Sequence, residues 1–174
     1  MRTLYRDAQA LLPHMIDIRR RIHAHAEGGY ALPHTLNTIR SELEDMGISW
    51  REPALSTTVC EIGKGRPNIV LRADTDALPM TEANKLDFQS ETDFAHTCGH
   101  DCHTAMLLGA ARLLKAREKE LPGRVMLLFQ PDEEGATGAR TVAKSGILDG
   151  WHGDAAFTTV VGGRYASDSD RILD

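Results

Sequence analysis

Asn68-Ile69-Val70-Leu71-Arg72-Ala73-Asp74-Thr75-Asp76-Ala77-Leu78-Pro79 changes abruptly from apolar to acidic. Residues 68–73 are nearly all apolar, which predicts a strand near the centre of a sheet covered on both faces. The strand empties into two carboxylates, Asp74 and Asp76. Polar groups at the end of a buried strand stand where open α/β sheets place their ligands. Upstream, Thr58–Gly63 reads as a strand, and Gly63-Lys64-Gly65-Arg66-Pro67 as the turn joining the two. Farther upstream, Leu4, Ala8, Leu11, Leu12, Met15, Ile18 and Ile22 recur at helical spacing, with Pro13 starting a second helix or kinking one long one. Arg19-Arg20-Arg21 is expected on the solvated side of that helix. Leu36, Ile39, Leu43 and Met46 mark the next helix, with Gly47 as its stop.

Downstream, residues 80–95 are polar and aperiodic and read as a loop. His96-Thr97-Cys98-Gly99-His100-Asp101-Cys102-His103 follows, then a helix from Thr104 to about Lys119. Arg124–Phe129 is a third buried strand, ending in Gln130-Pro131-Asp132-Glu133-Glu134-Gly135. A short helix with Ala139, Val142 and Ala143 inward, a strand over 154–161 and a polar tail from Gly162 complete the chain. Helices alternating with apolar strands indicate a layered α/β fold. If its strands are parallel neighbours, Asp74 and Asp76, the 96–103 loop and Glu133 and Glu134 meet at one edge of the sheet.

The 96–103 loop concentrates three of the eight histidines, two of the three cysteines and a carboxylate. These are the donors that bind a borderline-soft divalent metal such as zinc. The bland alternative is a surface loop that happens to be rich in His and Cys. Taken alone, Glu133-Glu134 reads equally as an acidic helix N-terminus favoured by the helix dipole. His23 and His25 read as structural or rim residues, Cys60 as a small buried hydrophobe, and His14, His34 and His152 as surface histidines.

Composition removes several classes. A formal charge of −5 argues against nucleic acid or an anionic membrane as partner. No apolar run approaches the ~20 residues needed to span a bilayer. The N-terminus lacks a signal-peptide core, so a cytoplasmic location is expected. Three cysteines give no disulfide framework. The four-residue spacing of Cys98 and Cys102 disfavours a thiol oxidoreductase, and the absence of Pro-Cys-x-x-Cys disfavours a zinc nucleobase deaminase.

Leu71–Pro79, His96–Ala105 and Phe129–Gly135, in that order, together with Arg19–Glu27, resemble the M20 metallopeptidase family. The subgroup is that of amidohydrolases acting on N-acyl amino acids, hippurate-type substrates, indole-acetyl amino acids and aminobenzoyl-glutamate. The resemblance implies a three-layer α/β/α catalytic domain of zinc-peptidase type with a mostly parallel central sheet. It implies Cys98, His100 and Glu134 as metal ligands, Glu133 as general base and Asp76 as support for the metal site. Asp74 becomes an outer or structural residue and His103 lines the site. The cofactor implied is zinc or manganese, with cobalt and nickel in the same set, in a two-metal centre. The chemistry agrees: a bound metal acidifies water and polarises an amide carbonyl, and a neighbouring carboxylate moves the proton.

This sequence departs from that pattern after Phe157, where Thr158-Thr159-Val160-Val161 stands in place of a further metal histidine. The expectation is an N-terminal part of the catalytic domain over 1–161 and a tail over 162–174. The lid and dimerisation domain and the rest of the catalytic domain would then be absent. The competing expectation to an amidohydrolase is accordingly an inactive remnant holding at most one metal ion. The resemblance implies a homodimer for the full-length family, and self-association is expected for the exposed apolar surface of the shorter chain.

Overall fold

A computed structural model of the chain describes residues 2–160. In chain order the elements are α1 (Arg2–Ala24), α2 (Pro33–Asp45), β1 (Trp50–Arg51), β2 (Thr58–Gly63), β3 (Asn68–Asp74), α3 (His100–Ala116), β4 (Arg124–Gln130), α4 (Gly138–Lys144) and β5 (Ala155–Thr158). A 3₁₀ turn over Glu118–Glu120 joins α3 to β4.

One sheet of order β1-β2-β4-β3-β5 runs through the middle. β3 pairs in parallel with both β4 and β5, whereas β2 is antiparallel to both of its neighbours. Four of the five strands therefore point the same way, with β2 reversed, and the sheet is mostly parallel as expected. β4 shows why it lies inside. Its residues are buried on both faces, with Val125, Leu127 and Phe129 in one apolar cluster and Met126 and Leu128 in another. The first cluster is completed by Ile18 and Ile22 of α1, Ile39 and Leu43 of α2, and Leu107, Leu108 and Ala111 of α3. The second is completed by Val142 of α4 with Ile147 and Trp151. Helices thus cover both faces, giving the three layers.

The connections position the site. From the C-terminal end of β3 the chain crosses to α3 on one face. From the C-terminal end of β4 it crosses to α4 on the other. Loops that leave adjacent parallel strands toward opposite faces open a crevice between them. The register pairs Asp74 with Gln130, so the two strands end level at that crevice.

Four details differ from the sequence reading. Pro13 lies inside a single helix, and Ile18 and Ile22, at 1% and 2% exposure, anchor only its C-terminal half. Leu4 and Leu12 of the predicted stripe stay in solvent. α3 begins at His100 rather than Thr104, because Gly99 takes φ 84° and its carbonyl accepts the N–H groups of Cys102 and His103. Only a residue without a β-carbon adopts that angle at low cost, so the helix can start immediately after Cys98. In α4, Val142 turns inward but Ala139 and Ala143 are exposed, since so short a helix meets the sheet along a single line. β5 ends at Thr158, and the tail expected from Gly162 lies outside the described residues.

Candidate metal centre

The crevice gathers side chains from three stretches far apart in the chain. Asp76 follows β3, Cys98 and His100 stand at the start of α3, and Glu133 and Glu134 follow β4. A sulfur, a ring nitrogen and a carboxylate oxygen of Cys98, His100 and Glu134 all lie within 4.8 Å of one another. His100 Nε2 is 3.8 Å from both Glu133 Oε2 and Glu134 Oε1. Ligands bound tetrahedrally at ~2.0–2.1 Å stand about 3.3 Å apart, so a small inward movement closes Cys98, His100 and Glu134 on one cation.

Asp76 organises the crevice from below. Its Oδ1 accepts the N–H of Glu133 at 3.0 Å and its Oδ2 that of Glu134 at 3.1 Å. Its backbone carbonyl accepts His100 Nδ1 at 2.8 Å. A carbonyl can only accept, so Nδ1 carries the proton and Nε2 faces the crevice as the donor atom a metal uses. Burial pushes the Asp76 carboxyl upward, but the His100 ring and the two backbone N–H groups outweigh it and hold it below the ordinary aspartate value. Thr75 adds a bond from its hydroxyl to the Gln130 carbonyl at 3.0 Å, tying the ends of β3 and β4 together.

The electrostatics call for a cation. Burial, reinforced by the carboxylates of Glu134, Glu133 and Asp74, pushes the Cys98 thiol up to about 11. Glu134 Oε1 is buried and accepts no hydrogen bond. Burial pulls His100 down, but Asp76 and Asp74 prevail and hold it above the ordinary histidine value. A thiol kept protonated by burial and by surplus negative charge, beside a buried acceptor without a donor, is the environment a divalent ion converts to a ligand set. The residues present therefore fit such an ion.

A second group, Asp74, His100 and His103, satisfies the same distance criterion. Its carboxylate is already engaged by Arg72 Nη1 at 2.6 Å and by His103 Nδ1 at 2.6 Å. A guanidinium against the carboxylate opposes a cation there, which marks Asp74 as the residue that orients His103 rather than as a donor.

Not every donor of the 96–103 loop joins. His96 is 5% exposed, and neither of its ring nitrogens has a hydrogen-bond partner. Burial pulls it down to about 4, so it stays neutral at physiological pH. Cys102 is half-buried and belongs to neither group. Glu133 is the most open of the five predicted site residues apart from Cys98, its side chain 42% exposed beside the crevice.

Sequence reading missed a layer behind the loop. Arg19, expected on the solvated side of α1, turns inward and donates Nε to Asp101 Oδ2 at 2.7 Å. A wholly buried carboxylate is costly without a partner, and the guanidinium supplies one. His23 bonds the same oxygen through Nδ1 at 2.7 Å and reaches Glu82 through Nε2 at 3.1 Å. Asp132 was missed too. It takes φ 52°, and its side chain bonds the Thr137 hydroxyl. A β-carbon on Gly138 would collide with the Pro131 carbonyl, which makes glycine necessary where the turn bearing Glu133 and Glu134 closes. The one sequence signal for this layer was an acid, Asp101, set between two donor residues in the first turn of a helix.

The model of peptidase family M20/M25/M40 matches residues 70–172, more than half of the chain. The chain belongs to that family. Among relatives of this M20 chain, the IAA-amino acid hydrolase ILR1-like 4 of Arabidopsis thaliana is 48% identical over 138 residues, covering 78% of this chain and 31% of the relative. The N-acetylcysteine deacetylase of Bacillus subtilis is 45% identical over 141 residues, covering 78% and 37%. The crystal structure of the Bacillus subtilis YXEP protein, a dinuclear metal binding peptidase from the M20 family, superposes with a TM-score of 0.77 at 41% identity, covering 82% of this chain and 41% of that one. The aminobenzoyl-glutamate utilization protein of Klebsiella pneumoniae shares the fold, with a TM-score of 0.66 at 23% identity. This M20 chain spans about a third of the length of the curated relatives it matches.

Proposed function

We propose that this chain carries the catalytic edge of a metal-dependent amidohydrolase that cleaves the amide of N-acyl amino acids. The observation that carries the reading is the convergence of Cys98, His100 and Glu134 around one point, with Glu133 beside it and Asp76 beneath. In this reading Cys98, His100 and Glu134 hold a zinc or manganese ion. When bound, such an ion supplies Lewis acidity toward the amide carbonyl and acidifies a water. Glu133 is the general base: its carboxylate takes the proton of the attacking water and delivers it to the leaving nitrogen. Asp76 is catalytic by position, because the N–H groups it accepts belong to the base and to a ligand. Two adjacent glutamates divide these tasks since the turn after Asp132 aims one carboxylate at the donors and leaves the other open to the crevice. The identity of the relatives favours small conjugates such as indole-acetyl or N-acetyl amino acids, with hippurate-like substrates in the same class.

A second reading is a chain that holds one cation without turnover. It is favoured by the single donor trio, among the described residues, whose carboxylate is not taken up by a guanidinium. Metal content and hydrolysis of N-acetylcysteine, an indole-acetyl amino acid and hippurate, measured with added zinc or manganese, separate the two. Turnover that Glu133→Ala abolishes with metal retained, and that Cys98→Ala abolishes with metal lost, supports the first. Metal uptake without turnover supports the second, and absence of uptake rejects both.

A further inference from the structure

We infer that His23, acting through Asp101, is a positioning residue for the cation site, and that it couples the Cys98–His100 turn to the loop over residues 82–94. The inference rests on the metal reading above and concerns what holds the donors in place. Asp101 follows His100 directly in the first turn of α3, and its side chain is wholly buried. Successive helical residues project ~100° apart about the axis, so a fixed Asp101 fixes the bearing of His100. Asp101 is fixed from three sides: Arg19 Nε and His23 Nδ1 reach Oδ2 at 2.7 Å each, and the Cys102 N–H reaches Oδ1 at 2.8 Å.

The far nitrogen of His23 meets Glu82, whose Oε2 also accepts the Ser90 N–H at 2.8 Å. Glu82 is 6% exposed, an unusual degree of burial for an acid in an otherwise polar loop. Both ring nitrogens of His23 face carboxylate oxygens, and Arg19 Nη2 also approaches Nδ1 at 3.3 Å. Arg19 and His23 thus engage the two acids from one side, and the effect of the cluster is to clamp. The outer loop is fastened to the same end of α1 by Glu91 N–H to Ala24 at 2.9 Å and by the Thr92 hydroxyl to Ala26 at 2.7 Å. Phe88 adds packing, its ring 4.8 Å from the guanidinium carbons of both Arg19 and Arg20 and edge-on to His23. The clamp therefore joins α1, the 82–94 loop and the donor turn, and among the described residues His23 is the one side chain that hydrogen-bonds both Glu82 and Asp101.

The test is a cobalt(II) titration of the 174-residue chain, comparing the unaltered protein with His23→Gln, Asp101→Asn and, as control, Glu42→Gln. Glu42 lies in a different ion cluster, so its variant reports general destabilisation. The expected result is a loss of cobalt affinity of about ten-fold or more in His23→Gln and Asp101→Asn, the scale for groups that orient ligands. A shifted ligand-field spectrum and a weakened thiolate-to-cobalt absorption should accompany it, while Glu42→Gln changes neither. Should His23→Gln not fold, Glu82→Gln releases the same ring from its outer side and is expected to weaken cobalt in the same direction. Folded variants with unaltered affinity and spectrum overturn the positioning role alone. An unaltered protein that takes up no cobalt overturns the metal reading and the positioning with it.

Discussion

Asp76 shows how much one side chain organises in this protein. It stands at the floor of the crevice, 1% exposed, and caps two successive N–H groups of the turn that presents Glu133 and Glu134. Removing its carboxylate leaves both donors without a partner, at about 1–3 kcal/mol for a buried group so stranded. Asp76→Ala is therefore expected to lower the unfolding free energy, read from urea curves, by that order. Asp76→Asn, which keeps one accepting oxygen, should lose roughly half as much. Equal losses in the two variants would show that the carboxylate does not hold the turn. Cys98 teaches the complementary lesson. The residue is exposed as a whole, yet partial burial of the thiol, reinforced by the flanking acids, raises its pKa, and a cation reverses that.

At the scale of elements, the start of α3 and the packing of α1, α2 and α3 carry separate predictions. Gly99 sits at φ 84°, where a β-carbon costs ~1–2 kcal/mol. Gly99→Ala should lower the thermal midpoint by about 2–8 °C on the usual scale for a domain of this size. Gly99→Asn, which tolerates the left-handed region better, should lower it less; the reverse order would contradict the conformational argument. Across the helical layer, Glu42 on α2 receives His14 Nε2 at 2.9 Å and Arg21 Nη2 at 3.2 Å from α1, and Arg112 Nη2 at 3.1 Å from α3. Burial raises its carboxyl, but His14, Arg21 and Arg112 outweigh that and hold it below the ordinary glutamate value of 4.5. A depressed acid contributes stability above its unfolded value and loses it as pH falls through the folded one. Glu42→Gln should accordingly cost about 1 kcal/mol at pH 7, as partly exposed pairs do, and progressively less as the pH falls below 4.5 through the folded value. Urea unfolding across that range checks this, and a deficit that does not shrink in acid would refute it.

For the whole molecule, the crevice exists only because two parallel strands send their connections to opposite faces of the sheet. A cation held there bridges the end of β4 to the start of α3 and stabilises every element between them. By mass action, a divalent ion at a hundred times its dissociation constant adds about 2.7 kcal/mol. Zinc or manganese is thus expected to raise the thermal midpoint of the chain and a chelator to reverse it, with no response in Cys98→Ala. A midpoint indifferent to metal would remove the cation from the fold's account.

Four of the five strands, the helices and a cluster of donor-type residues were legible along the chain, because burial imposes periodicity and metal chemistry restricts which side chains cluster; the two-residue strand Trp50–Arg51 is too short to leave a pattern. β3 and β4 could be recognised as interior strands from their unbroken apolar runs. Cys98, His100 and the adjacent acids stood out by type. The inward turn of Arg19 was not legible, nor the clamp of His23 between Asp101 and Glu82. Each of those depends on which charged groups the packing brings within about 3 Å, and residues 78 or 59 positions apart leave no local periodic trace of that contact. Local sequence sets what a segment can form. Only the packed sheet and helices decide which charges are shut away from water together, and so which of them must pair.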